Sequence, residues 1–435
     1  MSHPVTGASA PVEPPIPEPA APKPQGRVPF SSLAGLTGRA YLPLAFVARL
    51  PLAFLSIGAL TLVAAATGSY AAGGLAAAAT GIGQAIGGPL SGYLIDRTSQ
   101  RAVLVPVAIA HAILIVAVVW LVLGADPATG VLLVTTFLAG LTCPQVGSMS
   151  RVRWQNLTSV RPRGRRELES ALSLESMVDE LTFVLGPALV GLFASLFAPW
   201  LPLIIAAVLT AVMVPLFALH WTERAAERAH LMVRARTSGQ SRQGAWTPLR
   251  IAGVGAAVAG MIGMGGLFGT ISASSVAFAG EAGQASAGGL FYAAMGLASG
   301  ATALSVSAWP SVWGQSKRWF VCALLVVPAV LLLHAVDSVP WMIAVVFIIG
   351  LPIGPVLVTV YTIGSEASPR GRLGTVMTLL ASGVVVGVSA GNAAAGTVAD
   401  AGGSSAAFGT VAVAAVVLFA ASVVSALVRR RGRAR

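Results

Sequence analysis

The apolar runs of this chain are long enough to cross a bilayer, and that settles its solvent before any other feature is read. A membrane-spanning helix needs roughly 20 apolar residues to cross a hydrocarbon core about 30 Å thick. Leu42 to Ala66, Val103 to Leu123 and Ser404 to Val428 all reach that length. Of the 435 residues, 56% are apolar and only 10% charged, whereas a soluble domain carries about 25% charge. The composition argues against a water-soluble enzyme, and the lack of a heptad or Gly-X-Y period argues against a fibrous protein. Twelve spans are predicted, over 41–66, 71–95, 102–124, 131–154, 170–196, 199–219, 249–278, 285–308, 319–336, 340–364, 373–398 and 404–428.

The net charge of +12 would suggest nucleic acid in a soluble protein, but here it tracks topology and no nucleic-acid partner is expected. Lys23, Arg27 and Arg39 precede span one, and Arg97 and Arg101 follow span two. The arginines from Arg151 to Arg166 sit at or beyond the end of span four, and those from Arg224 to Arg250 follow span six. Lys317 and Arg318 follow span eight, Arg370 and Arg372 follow span ten, and a run from Arg429 closes the chain. All but one of the 27 Lys and Arg therefore fall on one side; the exception, Arg49, is inside span one. The opposite connections carry Asp126, Glu281, Asp337 and Asp400 instead. The positive-inside rule then places both termini in the cytoplasm.

Residues 1–40 read as a disordered, Pro-rich cytoplasmic tail, nine of the 27 prolines lying before residue 30. No basic start, apolar core and small-residue cleavage site occur over Met1 to Ala21, so span one is expected to stay in the mature protein. Residues 41–220 form one six-span half and 249–428 the other, with a cytoplasmic central loop over 221–248 and a basic tail over 429–435. Within that loop TERAAERAHLMVRAR has the makings of an interfacial amphipathic helix. The halves share a landmark: Pro162-Arg163-Gly164-Arg165 before span five repeats as Pro369-Arg370-Gly371-Arg372 before span eleven. Repeated halves point to a secondary transporter with its site between them near the midplane. The expected fold class is an all-α integral membrane protein of about 12 transmembrane helices in two pseudo-symmetric six-helix bundles.

The loop after span two reads GYLIDRTSQR, with Gly92, Asp96, Arg97 and Arg101. It resembles the G-x-L-x-D-R-x-G-x-R loop of the major facilitator superfamily, with Ser99 in place of the second glycine. The span number, the long central loop and the repeated Arg-Gly agree with that family. The resemblance implies that these four residues form a cytoplasmic gate, Asp96 and its arginines latching against the start of span eleven when the protein faces outward. A carboxylate is favoured near the positive N-terminal end of a helix, and Arg97 and Arg101 are candidates to hold it; alternatively the arginines only set topology. The counterpart in the second half, WGQSKRWF, keeps Lys317 and Arg318 without an acid, so a single latch is expected.

Span five carries Glu175, Asp179 and Glu180 at membrane depth, where each acid costs about 2.5–3.5 kcal/mol on insertion scales. With a rise of about 1.5 Å per residue Asp179 lies about 13 Å deep, close to the midplane. Glu175, Asp179 and Gly186 share one helical face, and Glu180 lies on the next. Arg49 enters from the same side to a depth of about 10 Å, so it is placed to pair with these acids. Two readings of Asp179 stay open, proton carrier and structural ion pair, and three acids against one arginine leave at least one acid unpaired. Gly186-Pro187 followed by Gly191 resembles the span-five signature of the drug:proton antiporters, which implies close packing against the other half; Val190 departs from it.

Gln84, Gln145, Tyr361 and Asn392 are the candidates for lining a substrate cavity, with His111 a weaker one. The arginine common in the family's span four is not matched beside Cys143-Pro144-Gln145-Val146-Gly147. With Arg49 the one cation expected at the midplane, a neutral or cationic amphipathic substrate fits better than a polyanion. Cys143 and Cys322 have no ligand spacing, and no H-E-x-x-H, C-x-x-C or Walker loop occurs, so no metal, cofactor, ATP-driven pump or enzyme is expected. The glycines of span seven, Gly253 to Gly269, serve close packing or a site that opens. The expected function is proton-coupled export of small amphipathic compounds by alternating access, by a monomer whose partners are its substrate, protons and lipid. Sugar or metabolite transport is the alternative within transport, and a non-transporting sensor or scaffold the alternative outside it. Twenty-five Arg against two Lys, with abundant Ala and Gly, hint at a GC-rich bacterial gene and hence a bacterial cytoplasmic membrane.

Overall fold

The computed structural model describes residues 30–124, 129–162, 164–236, 246–284, 288–310 and 312–433. Its helices are α1 (Phe30–Thr37), α2 (Tyr41–Thr67), α3 (Tyr70–Arg97), α4 (Gln100–Gly124), α5 (Thr129–Leu141), α6 (Val146–Ser159) and α7 (Gly164–Leu196). There follow α8 (Leu201–Leu219), α9 (Trp221–Arg236), α10 (Pro248–Glu281), α11 (Gly288–Ser305), α12 (Gln315–Leu331), α13 (Val339–Ala367) and α14 (Leu373–Arg433). No strand occurs among the described residues.

Ten of these segments are long and apolar enough to cross a bilayer. Two facts reconcile that number with twelve crossings. Glycine and alanine fill α3 and lower its hydropathy, although its 28 residues are long enough to span. The 61-residue α14 holds two spans, divided at Gly403, whose φ of 74° is open to glycine without strain. Glu281, at the end of α10, accepts bonds from the Ser404 N–H (2.6 Å) and hydroxyl (2.5 Å), which caps the second arm of α14.

Span four is broken. Pro144 has no N–H to continue the helix, and the residue before a proline disfavours helical backbone. The chain therefore leaves the α-helix over 142–145, closing with a tight Cys143 N–H to Gly140 carbonyl bond of 3.0 Å, and restarts at Val146. A new helix N-terminus is thus created inside the bundle.

The predicted tail ends sooner than expected, because α1 is helical and buries Leu33 and Thr37; residues 1–29 lie outside the described residues. The central loop is in part α9, an amphipathic helix that buries Thr222, Ala226 and Ala229 and exposes Leu231 and Met232. Most of the basic tail over 429–435 continues α14.

Helices α2 to α8 form one half and α10 to α14 the other. The halves meet along two seams, α3 against the first arm of α14, and α7 against α11 and α13. One seam repeats the other, as two related six-helix units require.

Candidate functional site

Four charges from three helices of the first half close on one another where its helices face the second. Arg49 of α2 donates through Nη2 to Glu175 (2.7 Å) and through Nη1 to Asp179 (2.9 Å). Arg151 of α6 donates through Nη2 to the other oxygen of Asp179 at 2.6 Å. Glu175 also accepts from the Ser150 hydroxyl (2.6 Å) and the Trp154 indole N–H (2.9 Å), and Ser150 is in turn bonded to the Tyr41 hydroxyl at 2.8 Å. Arg49 and Glu175 are only 4% and 2% exposed, so their mutual neutralisation is what makes their burial tolerable. The Arg151 guanidinium lies 3.8 Å over the ring of Tyr361 from α13, a cation–π contact that crosses between the halves.

Glu180 is one residue on from Asp179 and faces the other way, into the second half. It accepts a bond from the Ser299 hydroxyl of α11 at 2.8 Å and forms no ion pair among the described residues, although it is only 3% exposed. Gly296 lets α11 come this near: a Cβ there would collide with the Val184 side chain.

A cavity of about 60 Å³ lies between these groups. Arg49, Arg151, Asp179 and Glu180 form its polar side together with Gln145, Ser148 and Tyr361; Leu52, Phe183, Phe268 and Leu357 form much of its apolar side. The start of α6, from Val146 to Ser148, opens onto it.

At the arginine-rich end of the bundle, Asp96 receives the Gly374 N–H (2.8 Å), the Thr375 N–H (2.7 Å) and the Thr375 hydroxyl (2.6 Å). The carboxylate of one half thus caps the first turn of α14 in the other, where free N–H groups and the helix dipole favour an anion. Gly92, one turn earlier, makes the crossing possible, since a Cβ there would collide with Thr378 Oγ1 and the Gly374 carbonyl oxygen.

A model of the Major Facilitator Superfamily matches residues 41–380, most of the chain. The chain belongs to the Major Facilitator Superfamily. Members of this superfamily are transporters, and this one is a multi-pass membrane transporter rather than an enzyme. A search of curated sequences finds no match. Among solved structures, the superfamily member resembles the human organic anion transporter MFSD10 (TETRAN), with 19% identity over 88% of this chain and 99% of that one and a TM-score of 0.63. It also resembles FucP in the outward conformation, with 16% identity, the same 88% of this chain, 99% of that one and a TM-score of 0.59. A second FucP structure, titled as the E. coli fucose:proton symporter, gives 16% identity, 88% and 98% coverage and a TM-score of 0.55. At these identities the likeness speaks for the fold.

Within this major facilitator fold several sequence expectations change. Arg151 and Arg153, grouped above with the arginines that set topology, are 2% and 0% exposed. Arg151 completes the charge cluster, so Arg49 is not the only midplane cation. Arg153 ties α6 to three neighbours by bonds to Gln100 (2.7 Å), the Phe217 carbonyl (2.9 Å) and Thr222 (3.1 Å). Arg97 does not hold Asp96; it stacks on Tyr93 at 4.4 Å, with Arg372 on the same ring at 5.1 Å, and Arg101 is exposed. Gly186 packs against its own half, where a Cβ would collide with that of Ala53, and Gly191 has open space beside it. Neither makes the predicted contact with the second half, and Pro187 lies between them on α7; the glycines that permit close approach are on α11. Of the four cavity candidates, Gln145 and Tyr361 line it; Gln84 is buried elsewhere and Asn392 is exposed outside its lining. His111 bonds the Ala139 carbonyl at 2.8 Å, beside the break in span four.

The single-latch expectation also changes. Arg318 of α12 approaches Glu169 of α7 at 3.9 Å, an ion pair between halves at the second seam. The acid is on the opposite half from WGQSKRWF, which is why that motif alone does not reveal it. The composition of span four, with Arg151 within its predicted bounds, was the signal for the missing cation.

Proposed function

We propose that this superfamily member is a proton-coupled transporter of small amphipathic compounds, working by alternating access in a bacterial cytoplasmic membrane with its arginine-rich end in the cytoplasm. The observation that carries the reading is Glu180: a buried acid without a counter-ion, in the cavity wall, bonded across the seam that must open and close. An isolated buried carboxylate is costly as an anion and cheap as the neutral acid, so a proton can accompany its passage between the two sides. Asp179, by contrast, is held by two arginines and serves as a fixed structural charge. The Asp96 cap and the Glu169–Arg318 pair close the cytoplasmic end, so alternation requires breaking both.

The apolar wall facing a charged one supports an amphipathic cargo over a sugar, whose hydroxyls would find no partners along the apolar side. The Gly186-Pro187 resemblance favours export in exchange for protons. A second reading, joint passage of cargo and proton, is favoured by the second arginine in the cavity. The test follows proton movement in everted vesicles as amphipathic compounds are added, in wild type, Glu180→Gln and Asp179→Asn. Wild-type vesicles should respond to a compound, and Glu180→Gln, which keeps an acceptor for Ser299, should lose the response while still exchanging that compound. A full response in Glu180→Gln would reject Glu180 as the carrier, and no response in tight wild-type vesicles would reject proton coupling.

A further inference from the structure

The break in span four places a helix start beside two arginines in one cavity, and this juxtaposition selects a cargo. The first N–H groups of any helix lack intrahelical acceptors and carry the positive end of its dipole. At the start of α6 the side chain of Gln145 leaves them uncapped and bonds the Cys143 carbonyl at 3.3 Å instead. Such an uncapped start inside a membrane needs a partner from the cavity it lines, and half-helix N-termini at this depth suit anionic groups.

A second, independent observation points the same way. Arg151 lines the same cavity and is 2% exposed, and its Nε–H has no acceptor. Its bond to Asp179 uses Nη2, so the Nε–H beside it remains without an acceptor. Gly147 sets the helix start against the charge cluster: an added Cβ would lie 3.3 Å from Asp179 Oδ1, 3.5 Å from Arg151 Nη1 and 3.8 Å from Arg49 Nη1, so the acid as well as both arginines borders this space. An acceptor arriving between the start of α6 and Arg151 would satisfy both.

We infer that the cargo is an amphipathic monoanion, most simply a carboxylate, whose head is held by Arg151 and the N-terminus of α6 and whose apolar body lies along Phe183, Phe268 and Leu357. The inference rests on the proton-coupled reading for one consequence. The groups facing this space are Arg49 from α2, Arg151 from α6, Asp179 and Glu180 from α7, and Tyr361 from α13, with Glu175 of α7 bonded to Arg49 outside the lining. Glu175 and Asp179 balance the two arginines, which leaves the charge of Glu180 uncompensated. If the anion enters as Glu180 takes a proton, the charge of the site is unchanged; if it enters alone, two negative charges share one small cavity. Cargo and proton therefore favour each other's binding, and by linkage they travel together rather than in exchange.

Binding to the purified protein of three matched probes, 3-phenylpropionate, 3-phenylpropanamide and 3-phenylpropylamine, tests this, with a pH-indicator dye in weak buffer counting protons. The carboxylate should bind about tenfold or more tightly than the amide and the amine, with a proton taken up as it binds at a pH high enough for Glu180 to be ionised beforehand. Arg151→Lys, which keeps the charge beside Asp179 but not the guanidinium edge, should lose about tenfold for the carboxylate and little for the amide. Glu180→Gln should bind the carboxylate with no proton uptake. Preference for the amine with proton release would overturn the inference and leave the proton-coupled reading standing as antiport. Preference for the carboxylate with no proton taken up would do the reverse. Equal binding of all three, or none, would overturn the anion site; the wild-type comparison needs no variant to fold.

Discussion

The two halves share a fold and divide the chemistry between them. Between their end turns, the crossings of the second half carry no Lys or Arg, and their acids, Glu281, Glu366 and Asp400, all lie near helix ends. They offer the site Phe268, Leu357, Tyr361 and Ser299, mostly apolar surface and hydroxyls. The first half brings Arg49, Arg151, Glu175, Asp179 and Glu180. The four paired charges lock α2, α6 and α7 to one another within that half. Charge crosses the divide at the Arg151–Tyr361 contact and at the two contacts of the arginine-rich end, and Glu180 crosses it as an acid bonded to a hydroxyl. One half is therefore an ion-paired body and the other offers it an apolar surface, with few strong bonds across the seams.

The largest test of that division strikes the ion-paired body. Arg49→Met leaves Glu175 and Asp179 short of a partner, and breaking a buried ion pair costs about 3–5 kcal/mol. Leu357→Met on the apolar wall conserves volume and should cost less than about 1.5 kcal/mol. Unfolding of the two purified variants in detergent measures both, and equal losses would break the comparison. The second test strikes a seam. Gly92→Leu has no room between Thr378 and the Gly374 carbonyl, so the arginine-rich end should spread apart while the protein stays folded. Spin labels at Arg101 and Arg370, exposed and on opposite halves, should report a longer distance than in the same labelled pair with Gly92. An unchanged distance would mean that the crossing relaxes within one half.

Much of the architecture was legible because lipid imposes simple rules. Length and hydropathy alone mark the spans, and the arginine count separates the two ends, because neither property depends on what packs against what. The approach of Arg49 to the span-five acids was also legible from depth alone, although Arg49 and Asp179 are 130 residues apart. Depth failed for Arg151. Counted along the chain it belongs with the loop arginines, but the break at Cys143-Pro144 starts a fresh helix whose second turn carries it against Asp179. The Glu169–Arg318 contact and the true neighbour of Gly186 were hidden for another reason: both depend on how helices pack side by side, which a single sequence does not encode as a pattern.

The smaller tests set the two latches against each other. Asp96→Asn removes the charge from three short hydrogen bonds at the start of α14 and leaves an amide that cannot serve all the donors. A cap of this kind is worth about 0.5–2 kcal/mol, so the population open at the arginine-rich end should rise by about tenfold, read from the same spin-label pair. Glu169→Gln attacks the other seam, where the pair is 3.9 Å apart and Glu169 is 21% exposed. At 3.9 Å the contact is longer than a hydrogen bond, and Arg318, only 5% exposed, already donates to the Trp313 carbonyl at 2.7 Å, so the loss should be about 0–1 kcal/mol and the same population should rise by at most about fivefold. The order of the two effects is the informative result. If Glu169→Gln opens the end as far as Asp96→Asn, the second seam is held by its charge. If it barely responds, that seam is held by the buried packing of Leu172 against Ala303, Val306 and Val358, and the two related seams close by different physics.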